Sequence, residues 1–183
     1  MKRLFILLVT LLSFVAFSSC HKTVKTNGLD FEKVYNDDYN EAVKEYPNSH
    51  VVLFAVGGCL NYSFEEIMND SINLDSVYFE NIITVIQVDS NVLEILHDGN
   101  TVVKNMFESY SWDDTYPLKV TDGTITAMEA FRLYMAQVDS VVMPGNMVVL
   151  RCPFEMNDSI NPYYLFGYDE RYVIMNKDGK LNM

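Results

Sequence analysis

The chain has 183 residues, with 13 Lys and Arg against 25 Asp and Glu, a formal net charge of −12. So acidic a chain repels the phosphate backbone of nucleic acid and anionic lipid head groups, which argues against both as partners held by charge. Its hydrophobic content of 49% and aromatic content of 13% are too apolar for a disordered polymer. The length suits one compact domain or two small lobes.

The amino terminus opens with Lys2 and Arg3, runs apolar from Leu4 to Phe17 with only Thr10 and Ser13 intervening, and reaches Cys20 through Ser18 and Ser19. Basic, apolar, then small is the layout of a secretory signal over residues 1–19. The apolar run falls short of the about 20 residues that span a bilayer, and it has no polar face for a core helix. Phe17-Ser18-Ser19-Cys20 resembles the lipobox of bacterial lipoproteins, with phenylalanine where leucine is usual. The resemblance implies a diacylglyceryl group on the Cys20 sulfur, cleavage before that cysteine and acylation of the new amine by a fatty acid such as palmitate. Several acyl chains anchor durably where one binds only marginally. The alternative is an ordinary signal with an incidental cysteine. Removing residues 1–19 takes two basic residues and no acidic ones, which moves the charge from −12 to −14.

Residues 20–30 read as a polar, lipidated tether. Lipoproteins displayed on the surface of Bacteroidetes often carry acidic residues just after the cysteine. His21-Lys22-Thr23-Val24-Lys25 lacks them. The expected location is therefore the outer membrane, facing the periplasm. In that oxidising compartment Cys59 and Cys152 form either a disulfide or two buried thiols.

Next in chain order, Asp38 with Glu41 three residues later has capping-box spacing, so a helix is expected from Asp38 to near Pro47. Residues 51–56 are a continuous apolar run, consistent with a strand covered on both faces. Gly57-Gly58 is read as a bend or bulge that ends it. Ser63 and Glu66 cap a short inserted helix over 63–70. Residues 82–88 and 92–95 are strands about a turn at Asp89-Ser90-Asn91. Residues 101–107 fit strand or helix, and 112–117 a loop. Thr126 and Glu129 open a second capped helix, with Ala127, Ala130, Phe131, Tyr134 and Val138 on one apolar face. Residues 147–152, 163–166 and 172–175 are strands, and Asp178-Gly179 marks a hairpin before Lys180-Leu181.

The chain thus repeats itself. Glu-Ala-x-(Lys/Arg)-x-Tyr occurs at Glu41 and at Glu129, and each half reads helix, strand, hairpin. The repeat is either a duplication or a chance likeness of two α/β segments. The expected fold class is α+β, with helices packed on antiparallel sheet. A first lobe spans 31–120 and a second 121–183.

The second half, 124–181, resembles PepSY-like domains of Bacteroidetes lipoproteins. The residues that carry the resemblance are Ile125-Thr126-Ala127-Met128-Glu129-Ala130, Val148-Val149-Leu150-Arg151-Cys152-Pro153, Asn161-Pro162-Tyr163-Tyr164-Leu165-Phe166-Gly167 and Val173 through Lys180. They cover about a third of the chain. The resemblance implies a small helix-on-sheet unit, mostly non-catalytic, that binds or restrains an envelope protein or peptide.

For chemistry the sequence offers little. His50 and His97 do not stand in a zinc pattern. Asp113-Asp114 and Asn157-Asp158 do not fit a calcium loop, and Gly57-Gly58 lacks the partners of a phosphate loop. No cofactor, metal or catalytic residue is expected. Cys59 with His97 as nucleophile and base needs contact and an orienting third group. A thioredoxin-like or other envelope enzyme is the alternative function, though Cys-x-x-Cys is absent. A purely structural envelope lipoprotein is another. Tyr163, Tyr164, Phe166, Tyr168 and Tyr172 make either a recognition surface or packed sheet faces.

Overall fold

The computed structural model describes residues 28–108, 117–118, 120, 123–138, 145–151, 162–168 and 171–182. Residues 1–27, which hold the expected signal, Cys20 and most of the expected tether, lie outside them, as do Asp113-Asp114, Cys152 and Asn157-Asp158. No helix among the described residues is long and apolar enough to cross a membrane.

The fold is α+β. One antiparallel sheet carries helices against one face. In chain order the elements are α1 (Phe31–Glu45), β1 (Val51–Leu60), α2 (Phe64–Asn69), β2 (Phe79–Val88), β3 (Asn91–Asp98), β4 (Thr101–Glu108), α3 (Ala127–Gln137), β5 (Met147–Arg151), β6 (Tyr163–Tyr168), β7 (Arg171–Asn176) and β8 (Leu181–Asn182). The sheet order is β4-β3-β2-β1-β5-β6-β7-β8. The internal repeat is visible in that order. β1 and β5 pair antiparallel at the centre, with Gly57 opposite Val149. From each of them a meander of three further strands runs outward. Each meander is preceded by one long helix, so the halves are related by an approximate two-fold axis between β1 and β5. Both halves share one sheet and one core, in which Phe31, Tyr35 and Ile82 pack with Phe131, Tyr134 and Phe166.

Local chemistry sets the helix ends. Ser63 with Glu66, and Thr126 with Glu129, form complete capping boxes, in which side chain and backbone satisfy each other's free amides. The first long helix starts earlier than expected. Its cap is Asp30, which accepts from the Lys33 amide, and Asp38 lies mid-helix. Phe31, Tyr35, Asp38 and Ala42 are its buried residues, a stripe at helical spacing.

The inserted helix α2 stitches the halves together. It carries fully buried Phe64 into the aromatic cluster of the second half. Phe64 lies 5.4 Å from Tyr134 and 6.1 Å from Phe131, and Tyr134 stacks on Phe166 at 4.4 Å. α1 makes a second tie, because Glu32 accepts from the Ala127 amide at the start of α3 (2.7 Å). Burial holds the Glu32 carboxyl above its usual range.

Gly57-Gly58 does not end its strand. β1 runs on to Leu60, with register irregularities between Leu53 and Ala55 and between Cys59 and Leu60. A Cβ on Gly58 would stand 2.6 Å from the Phe79 ring and 3.1 Å from Phe31. Glycine is there so that two aromatic rings can cross the strand closely.

Candidate binding edge

Strand alternation divides the side chains between two faces. On the helix face, Ile82, Ile86, Leu93 and Ile95 join the main core. On the far face, Ile83, Val85 and Val92 form a smaller cluster with Phe54, Ala55 and Leu96.

Three polar groups meet inside the helix face. Asp38 of α1 is buried, with Thr84 and His97 beneath it on β2 and β3. The Thr84 hydroxyl donates to Oδ2 of Asp38 at 2.5 Å, and His97 Nε2 lies 2.9 and 3.0 Å from the two carboxylate oxygens. A buried carboxylate requires such partners, and here they lock α1 onto β2 and β3. An aspartate orienting a histidine is also two-thirds of a nucleophilic triad. The Thr84 hydroxyl, however, faces the carboxylate. Cys59 is on the other side of the sheet, because Gly58 next to it faces Phe31 of α1 and successive residues alternate. The expected pairing of Cys59 with His97 is therefore excluded by strand geometry.

Cys59 pairs with Met147 on β5. Cys152, its expected partner or fellow buried thiol, lies outside the described residues.

The five aromatics proposed as one recognition surface do not form one. Tyr164 and Phe166 are buried under the helices, and the Tyr164 hydroxyl donates to the Ile125 carbonyl at 2.5 Å. Tyr163 is buried on the far face, since it alternates with Tyr164. Tyr172 is 52% exposed. The side chain of Tyr168 lies outside the described residues. Among those residues no group of His, Cys, Asp and Glu could hold a metal ion.

Half of the exposed large apolar side chains among the described residues lie on one strand, β4. Residues 101–107 belong to strand β4, whose eight residues form the edge of the sheet and are all exposed. Val102, Val103, Met106 and Phe107 are 51, 42, 43 and 40% exposed. Strand edges normally avoid this, because unpaired amides beside apolar side chains invite another strand. The turn before β4 fixes which amides are open. Asp98 pairs with Thr101 across a two-residue loop whose Gly99 has φ +57°. In an antiparallel hairpin such a closing pair exchanges both hydrogen bonds, and bonded pairs then alternate. Thr101, Val103, Asn105 and Phe107 thus bond to β3. The N–H and C=O groups of Val102, Lys104 and Met106 point outward.

Lysine on an edge strand is a common guard against unwanted pairing. Lys104 is instead drawn back over α1, 2.8 Å from Glu41 and 3.7 Å from Glu45. These carboxylates hold its ammonium above the usual lysine range. In sequence, residues 101–107 fit strand or helix, since valines at both 102 and 103 break the alternation of a half-buried strand. The Asp98-Gly99 turn signal was the clue available.

Comparison with known proteins returned no matching family model, no matching curated protein and no matching solved structure.

Proposed function

We propose that this chain is a lipid-anchored binding module of the cell envelope, held to a membrane by acyl chains on Cys20, that docks an envelope protein or peptide along β4. The observation that carries the docking part is an eight-residue edge, exposed on both faces and apolar at four positions. Strand addition to such an edge is a recurrent way to bind extended segments, with affinity supplied by main-chain hydrogen bonds. The anchor rests on the tripartite amino terminus ending at Cys20. The helix-then-meander plan of each half agrees with the unit that a PepSY-like resemblance implies. The Asp38–His97 contact serves the same role, since it fixes α1, β2 and β3 as a rigid support beneath the edge.

In-cell photo-crosslinking tests the reading. With a benzophenone amino acid in place of Val103 in the full-length protein, irradiation is expected to give a discrete heavier adduct in the envelope fraction. The same group at Asp178, an exposed turn residue on the opposite half, should give none. Adducts of equal yield from both positions, or none from Val103, would overturn the docking edge. In the same cells Cys20→Ser should abolish fatty-acid labelling, and an unlabelled wild-type protein would refute the anchor.

A further inference from the structure

We infer that the occupant of the β4 edge is an extended segment of another protein in which basic and apolar residues alternate. This inference rests on the docking reading above and goes on to name the chemistry of the partner.

The two faces of β4 differ. On the helix side, Lys104 of β4 reaches the exposed carboxylates Glu41 and Glu45 of α1, two acids to one ammonium. Asp98 is exposed at the turn end. Lys104, the cation of the strand, is already held by two of these carboxylates. On the far side β4 presents Val103, Asn105 and Phe107, continuous with Leu96 and Val92 of β3, to which Val103 and Phe107 pair.

A ninth strand would place alternate side chains on these two surfaces. Those on the helix side meet acidic groups, so lysine or arginine fits there. The methylene stems of these residues can lie along Val102 and Met106 while their charges reach the carboxylates. Side chains on the far side meet Val103 and Phe107, so aliphatic or aromatic residues fit. Charge also decides against a second copy of this chain. Two copies meeting edge to edge would each bring the same carboxylates, on chains of formal net charge −14 once residues 1–19 are removed, and like charges across an interface disfavour the pairing. A basic segment gains the corresponding attraction, weakened by salt.

The test uses the full mature lipoprotein in nanodiscs of zwitterionic lipid and three end-blocked, fluorescent nonapeptides. One alternates lysine with valine, one alternates glutamate with valine, and one holds the lysines and valines in two blocks. Binding is read by anisotropy. The lysine–valine alternation should bind at least tenfold tighter than either of the others, and should weaken as salt rises. Met106→Pro should abolish that binding with an unchanged circular dichroism spectrum, since it removes an outward N–H and leaves the β3 bonds intact. Equal binding of the lysine and glutamate peptides, both lost in Met106→Pro, would refute the charge rule while the docking edge stands. Binding unaffected by Met106→Pro, or no binding at millimolar peptide, would overturn the inference. The crosslinking from Val103 then judges the docking edge separately. A dimer of the free protein that Met106→Pro dissociates would make a second copy the occupant and refute the basic partner.

Discussion

Asp38→Ala is expected to lower the unfolding free energy by about 3 kcal/mol, while Asp38→Asn costs about 1 kcal/mol. Asp38 is 3% exposed and Thr84 is fully buried. Alanine leaves the Thr84 hydroxyl and the His97 ring nitrogen without their acceptor, each in a site water does not reach freely. An unmet buried donor costs roughly 1–3 kcal/mol, and two donors lose their acceptor here. Asparagine keeps one acceptor oxygen in place. Replacing all three together, Asp38→Leu with Thr84→Val and His97→Val, should recover most of the loss, because it removes the donors with the acceptor. Urea unfolding of the four proteins checks this. An alanine cost no greater than the asparagine cost would mean that the three groups do not meet as described.

Glu94→Gln is expected to stabilise the protein at pH 8 by about 1–2 kcal/mol and to change little at pH 4. Glu94 is 6% exposed on the far face of β3, and its Oε1 has no hydrogen-bond partner among the described residues. Its cross-strand neighbours are Val85 and Asn105, neither of which titrates. Burial alone pushes its carboxyl above the usual range. A raised folded-state pKa means that the native protein binds the proton more tightly than the unfolded chain does. Stability from this group is therefore complete below the unfolded value, near 4.3, and is lost as pH rises through the folded value. Glutamine mimics the protonated form at every pH, so the difference between variant and parent should grow from about zero at pH 4 to its plateau at pH 8. Urea unfolding at the two pH values measures it. A constant difference, or one that shrinks as pH rises, would mean that Glu94 finds a cation in solution.

Both residues show where the sequence was readable and where it was not. The spacing of Asp38 and Glu41 satisfies the rule for a helix start, and that local rule was misleading. The better signal was the position of Asp38 on the stripe Phe31, Tyr35, Ala42, where a polar residue requires a buried partner. Its partners lie 46 and 59 residues away, and nothing local encodes such a pairing. Glu94 likewise interrupts an apolar run, Val92-Leu93-Glu94-Ile95, without revealing which face it takes. What was legible is set by neighbours in sequence: the capping boxes at Ser63 and Thr126, the turns at Asp89 and Gly179, the apolar strand β1. The repeated helix-strand-hairpin plan was legible for the same reason. The sheet order was not, because the central pairing of β1 with β5 joins segments about 90 residues apart. Gly58 was misread because the Phe79 ring that requires it belongs to another strand.

The most direct test of the open edge is amide hydrogen exchange along β4 in the protein as isolated from its host, read residue by residue by NMR. In the free protein Val103, Asn105 and Phe107 should be protected, while Val102, Lys104 and Met106 exchange rapidly. Adding the alternating lysine–valine peptide should protect the second set and leave the first unchanged. Slow exchange at Val102, Lys104 and Met106 in the free monomer would mean that the edge is already covered, and the docking role assigned to it would be wrong.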